Sequence, residues 1–418
     1  MRPARGGLAP LLLLGLCGSA CAGVLPGAAR LQDALMDGLA LSPVLPAPAG
    51  PVWRLGLNAG LLLRSDRLSL DTWNRYAGHT LDDGDKRALL DELGGELAST
   101  GEASLRLLEA VWPLPKGRAG FQLESVAAGA QRLDLSLLET VFFGNDPQEA
   151  LVVRRASLAA ESLTRLRLAW SAPLALPASW TWAGTDTINW GLALSLERGE
   201  AWTRTSSFSG RVEPPQGQVE AAFRHVQDRA GIGTGWSLDL GLRRESLLAG
   251  RPLATLASLR GLLHRQTWRD ARRTERSFRL PATPVGTTFD YDAFSADLVD
   301  STLTRAITPI HLALQPGWLL GADWRGAAWR HSLAAEQAPE DAAGAGRKRL
   351  SWAVTWQQRR FHLTGQLAGG MGRGPALGGE IGYRGPCWSL ALGATGFAGL
   401  FDHSRGFQTG LECQWTLR

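Results

Sequence analysis

The chain has 418 residues, with 44 Lys and Arg against 39 Asp and Glu. Its formal net charge of +5 is too mild to argue for a nucleic-acid partner. Four cysteines and seven histidines (His79, His225, His264, His311, His331, His362, His403) are scattered, without the paired spacing that a metal site needs, so neither metal nor cofactor is expected.

The first residues read as an export signal. Arg2 and Arg5 precede the short apolar core Leu11 to Leu16, and Gly18-Ser-Ala-Cys-Ala22 offers an A-x-A cleavage site before Gly23. A lipoprotein reading is weaker, because Cys21 lacks the usual Leu three positions upstream and Cys17 follows the bulky Leu16. Residues 1–22 are thus expected to be removed, leaving 396 residues, of which 23–50 form a periplasmic segment. No run of eighteen apolar residues follows, so no transmembrane helix is written in the chain. If this chain spans a membrane, closed strands are the remaining solution, since lipid leaves every backbone amide to be satisfied internally.

Strict period-two alternation begins at Trp53. Trp53, Leu55, Leu57, Ala59, Leu61 and Leu63 share one face, and Arg54, Gly56, Asn58, Gly60 and Arg64 share the other. Two helices interrupt the strands. Asp82-Asp83 and Gly94-Gly95 bracket a capped helix over 82–93, and an apolar stripe ending at Gly144-Asn145 predicts another over 130–143. A third is expected at 103–110. Such inserts cap the barrel or gate it, and capping is the favoured reading.

Alternation returns at 165–170, 188–197, 236–243 and 350–357. Further strands are expected near 118–125, 204–212, 218–227, 252–263, 307–315, 318–331, 360–368, 378–384, 387–396 and 405–417, about 14 in all. Tryptophans sit on the apolar faces, often at strand ends: Trp53, Trp170, Trp190, Trp236, Trp352, Trp388 and Trp415. Indole favours the membrane–water boundary, so these are the expected interface anchors. The fold class read from these patterns is all-β, a transmembrane antiparallel barrel over residues 51–418 with small helical inserts. A secreted all-β sandwich is the alternative.

Alternating with the apolar residues, Arg54, Arg64, Arg165, Arg167, Glu197, Asp239 and Arg243 should point inward, because a charge facing lipid costs roughly 2–4 kcal/mol at mid-depth. They form either an Arg-lined passage for anions or carboxylated amphiphiles, or a network of opposite charges filling a closed lumen. Mixed signs favour the network. The arginines between His264 and Arg276 could meet lipid phosphates, although a solvated loop is the favoured reading. Cys387 and Cys413 fall on opposite faces of a hairpin, which predicts two free thiols. No G-x-S-x-G elbow or other nucleophile context is present, so no enzyme and no catalytic residue is expected.

In order, the early strand, the helix Leu81 to Leu93, the segment Leu133 to Asn145, Gly235 to Leu242, Leu256 to Arg260 leading to Trp268, and Leu314 to Trp324 resemble a family of uncharacterised bacterial outer-membrane barrels, similar in layout to FadL and PorV-type barrels. The resemblance covers roughly 50–418. It implies a monomeric outer-membrane barrel of a Gram-negative bacterium, in contact with lipid, that conducts or binds a small amphipathic ligand. The alternative is a docking barrel that anchors a secreted or surface protein.

Overall fold

The computed structural model describes residues 52–76, 80–94, 96–143, 151–153, 156–174, 187–213, 218–284, 299–313, 315–337, 348–369, 375–397 and 405–417. The signal 1–22 and the segment 23–50 lie outside them. The first strands are β1 (Val52–Ser65), β2 (Glu96–Leu114), β3 (Gly117–Asp134), β4 (Leu151–Val153), β5 (Ser157–Pro173) and β6 (Thr187–Glu213). The middle of the chain gives β7 (Gln218–Ala230), β8 (Ile232–Leu248), β9 (Arg251–Arg269), β10 (Arg272–Pro284), β11 (Val299–Ala306) and β12 (Ile310–Leu312). The last third gives β13 (Gly317–Arg325), β14 (Trp329–Gln337), β15 (Lys348–Gln358), β16 (Phe361–Gly369), β17 (Ala376–Arg384), β18 (Trp388–Phe397) and β19 (Gly406–Leu417). Three helices are described: α1 (Leu70–Tyr76), α2 (Asp83–Leu93) and α3 (Leu135–Phe143).

Antiparallel pairing runs β1-β2-β3-β5-β6-β8-β9-β13-β14-β15-β16-β17-β18-β19 and returns to β1 through Trp53 opposite Leu417. Closure leaves no open edge at the level of the ring. The ring has fourteen staves, and the sheet as a whole has nineteen strands, more than the 14 or so expected. The other five segments are additions at one end. The long β6 pairs β8 through its first half and β7 through its second, and β10 and β11 continue from β7. The short β4 joins β6, and β12 joins β9.

The two ends of the ring differ. At the end holding Val52 and Leu417, two residues join β2 to β3, β8 to β9 and β15 to β16. Ala249 and Gly250 both take positive φ, 51° and 72°, the backbone that a two-residue turn between twisted strands requires. The opposite end carries the helices and the added strands. Short periplasmic turns and long outer loops are the ordinary polarity of such barrels, so the termini mark the inner end.

The helix at 82–93 forms as expected. The Asp82 carboxylate accepts from the Asp85 amide at 2.8 Å, the Asp85 carboxylate accepts from the Asp82 amide at 3.3 Å, and Gly94 closes the helix at φ 54°. Lys86, bonded to Asp83 at 2.8 Å, holds that carboxyl below its usual range. Leu89 and Leu93 of α2 pack with Leu135 of α3, Leu97 and the flanking Tyr76 and Phe142.

Two helix expectations are corrected. Residues 130–134 continue β3, and the helix starts at Leu135, where the Asp134 carboxylate accepts from the Ser136 amide at 3.1 Å. Residues 103–110 lie within β2. A bulge there places both Arg106 and Leu108 in register while Leu107 is extruded, 43% exposed. One extra residue turns a period of two into an apparent helical spacing of leucines. Other boundaries shift as well. The 204–212 strand is the second half of β6, 318–331 is broken by a turn at Gly326, and 307–315 contributes only Ile310–Leu312. The arginine-rich stretch 264–276 is strand rather than loop: it ends β9 and opens β10, which pair with other strands and not with each other.

Exposure along the wall is inverted relative to a water-soluble protein. Leu363, Ile381, Leu392 and Leu411 sit side by side across four strands, each at least 40% exposed. Alternate residues on neighbouring strands are polar and buried: Ser332, Ser351, Thr355, Thr364, Gln366 and Gln408. A sandwich buries its apolar faces, so this pattern excludes the sandwich. The chain is a transmembrane β-barrel with its apolar belt outside.

Candidate functional site, the barrel lumen

Period-two geometry turns every second residue of each stave toward the lumen, and at mid-height these residues are charged. Arg165 on β5 donates from Nη1 to Glu124 on β3 and from Nε to Glu197 on β6, both at 2.9 Å. Glu197 also meets His264 Nε2 of β9 at 3.3 Å. Beside this chain, Arg167 pairs with Asp239 of β8 at 2.5 Å. Glu197, Asp239 and Arg167 are 6%, 4% and 7% exposed. Burial at this level is tolerable because each carboxylate faces a cation across the ladder.

Asp239 has a second role. Between Leu238 opposite Leu263 and Leu240 opposite Leu259, the register slips, so that Arg260, Gly261 and Leu262 bulge against Asp239 alone. Gly261, at φ 63°, donates its amide to Asp239 Oδ1 at 2.6 Å. The carboxylate thereby replaces the backbone acceptor that the slip removes.

A second cluster follows round the ring, where Glu336 of β14 takes Arg349 of β15 at 2.6 Å and Arg260 of β9 at 3.4 Å. Toward the inner end, Asp323 accepts from Arg330 at 2.7 Å, Arg325 at 3.1 Å and Ser332 at 2.7 Å.

Above the charged layer the inner surface becomes apolar. Trp268, fully buried, groups with Trp202, Ala230 and Ala271, and Ile307, Ile310 and Leu312 pack against them. Its ring lies flat against two glycines. A Cβ on Gly199 would come within 2.3 Å of the ring, and one on Gly233 within 2.8 Å. Gly199→Ala is therefore expected to push Trp268 aside and cost about 1–3 kcal/mol, read as a lower urea midpoint of the folded barrel. An unchanged midpoint would show that the indole has room to move.

Of the residues expected to face inward, Arg165 and Glu197 meet in one chain of contacts, and Arg167 and Asp239 form a pair beside it. Arg243 lies nearer the inner end and pairs with Glu245 at 2.9 Å. For Arg54 and Arg64 only the backbone is described. Register sets Arg54 opposite Glu109 and Thr416, and Arg64 opposite Thr100 and Gly406. Sequence reasoning missed Glu124, His264, Arg260, Glu336 and Arg349. Glu336 was legible by parity from Leu333, whereas the bulge at 260–262 breaks the count that would have reached His264.

On the outside, Trp170, Trp236, Trp352, Trp388 and Trp415 are 36–53% exposed. Trp190 is half-buried and meets Trp170 edge to face, with ring centres 4.9 Å apart. The side chain of Trp53 lies outside the described residues. Cys387 and Cys413 are free thiols. Among the described residues no group of three His, Cys, Asp or Glu side chains is placed to hold a metal ion, and no helix is long and apolar enough to cross a membrane.

No protein-family model and no curated protein matches the chain. Among solved structures it is similar to the toluene transporter TbuX of Ralstonia pickettii, at 9% identity and a TM-score of 0.47, covering 91% of this chain and 94% of that one. It is also similar to the toluene transporter TodX of Pseudomonas putida, at 11% identity and a TM-score of 0.46, covering 96% and 95%. A TodX deletion mutant, described as a monoaromatic hydrocarbon channel, gives 10% identity and a TM-score of 0.49 over 91% and 93%.

Proposed function

We propose that this chain is a non-enzymatic barrel of a Gram-negative outer membrane that binds and passes a small amphipathic molecule. The observation that carries the reading is the layering of the inner wall: an apolar group around Trp202 and Trp268 stands above the paired charges of Arg165, Glu197, Arg167 and Asp239. An apolar tail suits the upper layer, and a polar head exchanges hydrogen bonds with the lower one. Much of the described inner wall is withdrawn from water, with Arg106, Glu109, Gln122 and Gln266 at 0–1% exposure. Such a wall suits stepwise passage of a bound ligand better than a wide aqueous pore.

Purified barrel in planar bilayers is expected to lack the large steady conductance of a water-filled porin, while vesicles containing it take up amphipathic solutes faster than empty vesicles. Open-pore conductance to small ions, or uptake no faster than in empty vesicles, would sink the reading. A docking barrel is the second reading. It is favoured by β11, which among the described residues is paired to β10 alone and so presents one strand edge beyond the ring. Affinity capture of a stoichiometric protein partner would support it.

A further inference from the structure

The apolar belt ends abruptly on the outer side of β6, β8 and β9. On β6 the outward residues Leu192, Leu194 and Leu196 give way to Arg198. On β9 the outward Leu263 gives way to Arg265 and then Arg269. Register ties these together: Arg198 lies opposite Thr234, Arg265 opposite Trp236, and Arg269 opposite Ile232. The three arginines thus stand over the last leucines and beside an exposed indole, their Cα atoms roughly 12–13 Å apart, two strand spacings across and up to four residues along β9.

Arg229 and Arg272 extend the patch onto the added strands. They are directly opposite each other across β7 and β10, an arrangement that is destabilising for like charges unless an anion lies between them. Both border a cavity of about 630 Å³ whose other walls include Ser162, Ala201, Thr203 and Thr274. All five arginines are exposed, and none has an ion-pair partner among the described residues. The nearby carboxylates are Glu200, which accepts from Thr164 at 3.0 Å, Glu161 and Asp270. Burial, with Arg229 and Arg276 close by, holds the His225 imidazole below its ordinary value.

We infer that Arg198, Arg265, Arg269, Arg229 and Arg272 form a binding site for the phosphorylated headgroup of a lipid in the outer leaflet. Guanidinium groups take phosphate oxygens in paired hydrogen bonds. Continuity with the belt selects a lipid over a soluble anion, because acyl chains lying on Leu196 and Leu263 would place their phosphates at the height of Arg198 and Arg265. The inference rests on the outer-membrane placement proposed above. Fractionation tests that placement, whereas binding is measured on purified protein, so the two can fail separately.

The full chain in detergent is mixed with diphosphorylated lipid A or its dephosphorylated form, and bound lipid is counted by native mass spectrometry. The folded protein is expected to retain the phosphorylated lipid about tenfold better, the loss of charge-assisted hydrogen bonds being enough for that ratio. R198Q/R265Q/R269Q and R229Q/R272Q should each lose most of the preference, while the matching Lys variants keep part of it. Heat-modifiable gel mobility reports folding, and the two-lipid comparison on the unaltered protein stands even if a variant does not fold. Equal retention of both lipids, retention unchanged in the Gln variants, or displacement of the lipid by an equal concentration of inorganic phosphate would each overturn the assignment.

Discussion

Replacing Glu197 by Ala is expected to destabilise the barrel by about 3 kcal/mol, the low end of the range for breaking a buried ion pair. Glu197 is the carboxylate shared by Arg165 and His264. Its side chain is 1% exposed, so its removal takes a buried carboxylate away from two nitrogen-bearing groups in the lumen. The cost stays at the low end because Arg165 is 31% exposed and keeps Glu124 at 2.9 Å. Urea unfolding followed by tryptophan fluorescence gives the number. On an Arg165→Ala background the same change should cost less than half as much, because the partner is already gone. Equal costs on both backgrounds would mean that the two side chains are energetically uncoupled.

The second expectation concerns the outer wall. Leu392 is 55% exposed and flanked across the ladder by Ile381 and Leu411. In a membrane, Leu392→Arg should cost roughly 2–4 kcal/mol, while Leu248→Arg, beside the inner turn, should cost roughly 0–1 kcal/mol. Folding into lipid vesicles over a urea series separates the two. In water both leucines are merely exposed, and the substitutions would then be alike. Equal effects in vesicles would place Leu392 outside the hydrocarbon layer.

Much of the wall was legible because one physical rule governs it: a stave between lipid and lumen must alternate. Residues 188–197 and 350–357 carry that alternation unbroken, and both form as read. The reading failed where one extra residue enters a strand. Leu107 makes β2 look helical, and the slip at Arg260 to Leu262 conceals that His264 faces Glu197. Strand ends were the other weak point. Asp134 both ends β3 and caps α3, so the apolar stripe beyond it was extended backward into the strand. For the lumen, parity named Arg165, Arg167, Glu197 and Asp239 as inward-facing, but it could not say which of them meet.

By itself the sequence determined the class of wall and the helix at 83–93 with both of its caps. These depend on neighbours within a few residues, where the pleat and the helical turn repeat. Only the tertiary structure decided that β6 pairs β8 along one half and β7 along the other, that Glu124, Arg165, Glu197 and His264 form one chain of contacts from four staves, and that Trp268 needs glycine at 199 and 233. Those relations join residues up to 140 positions apart by roughly the count from Glu124 to His264, and their register is set by bulges and closure rather than by any local pattern.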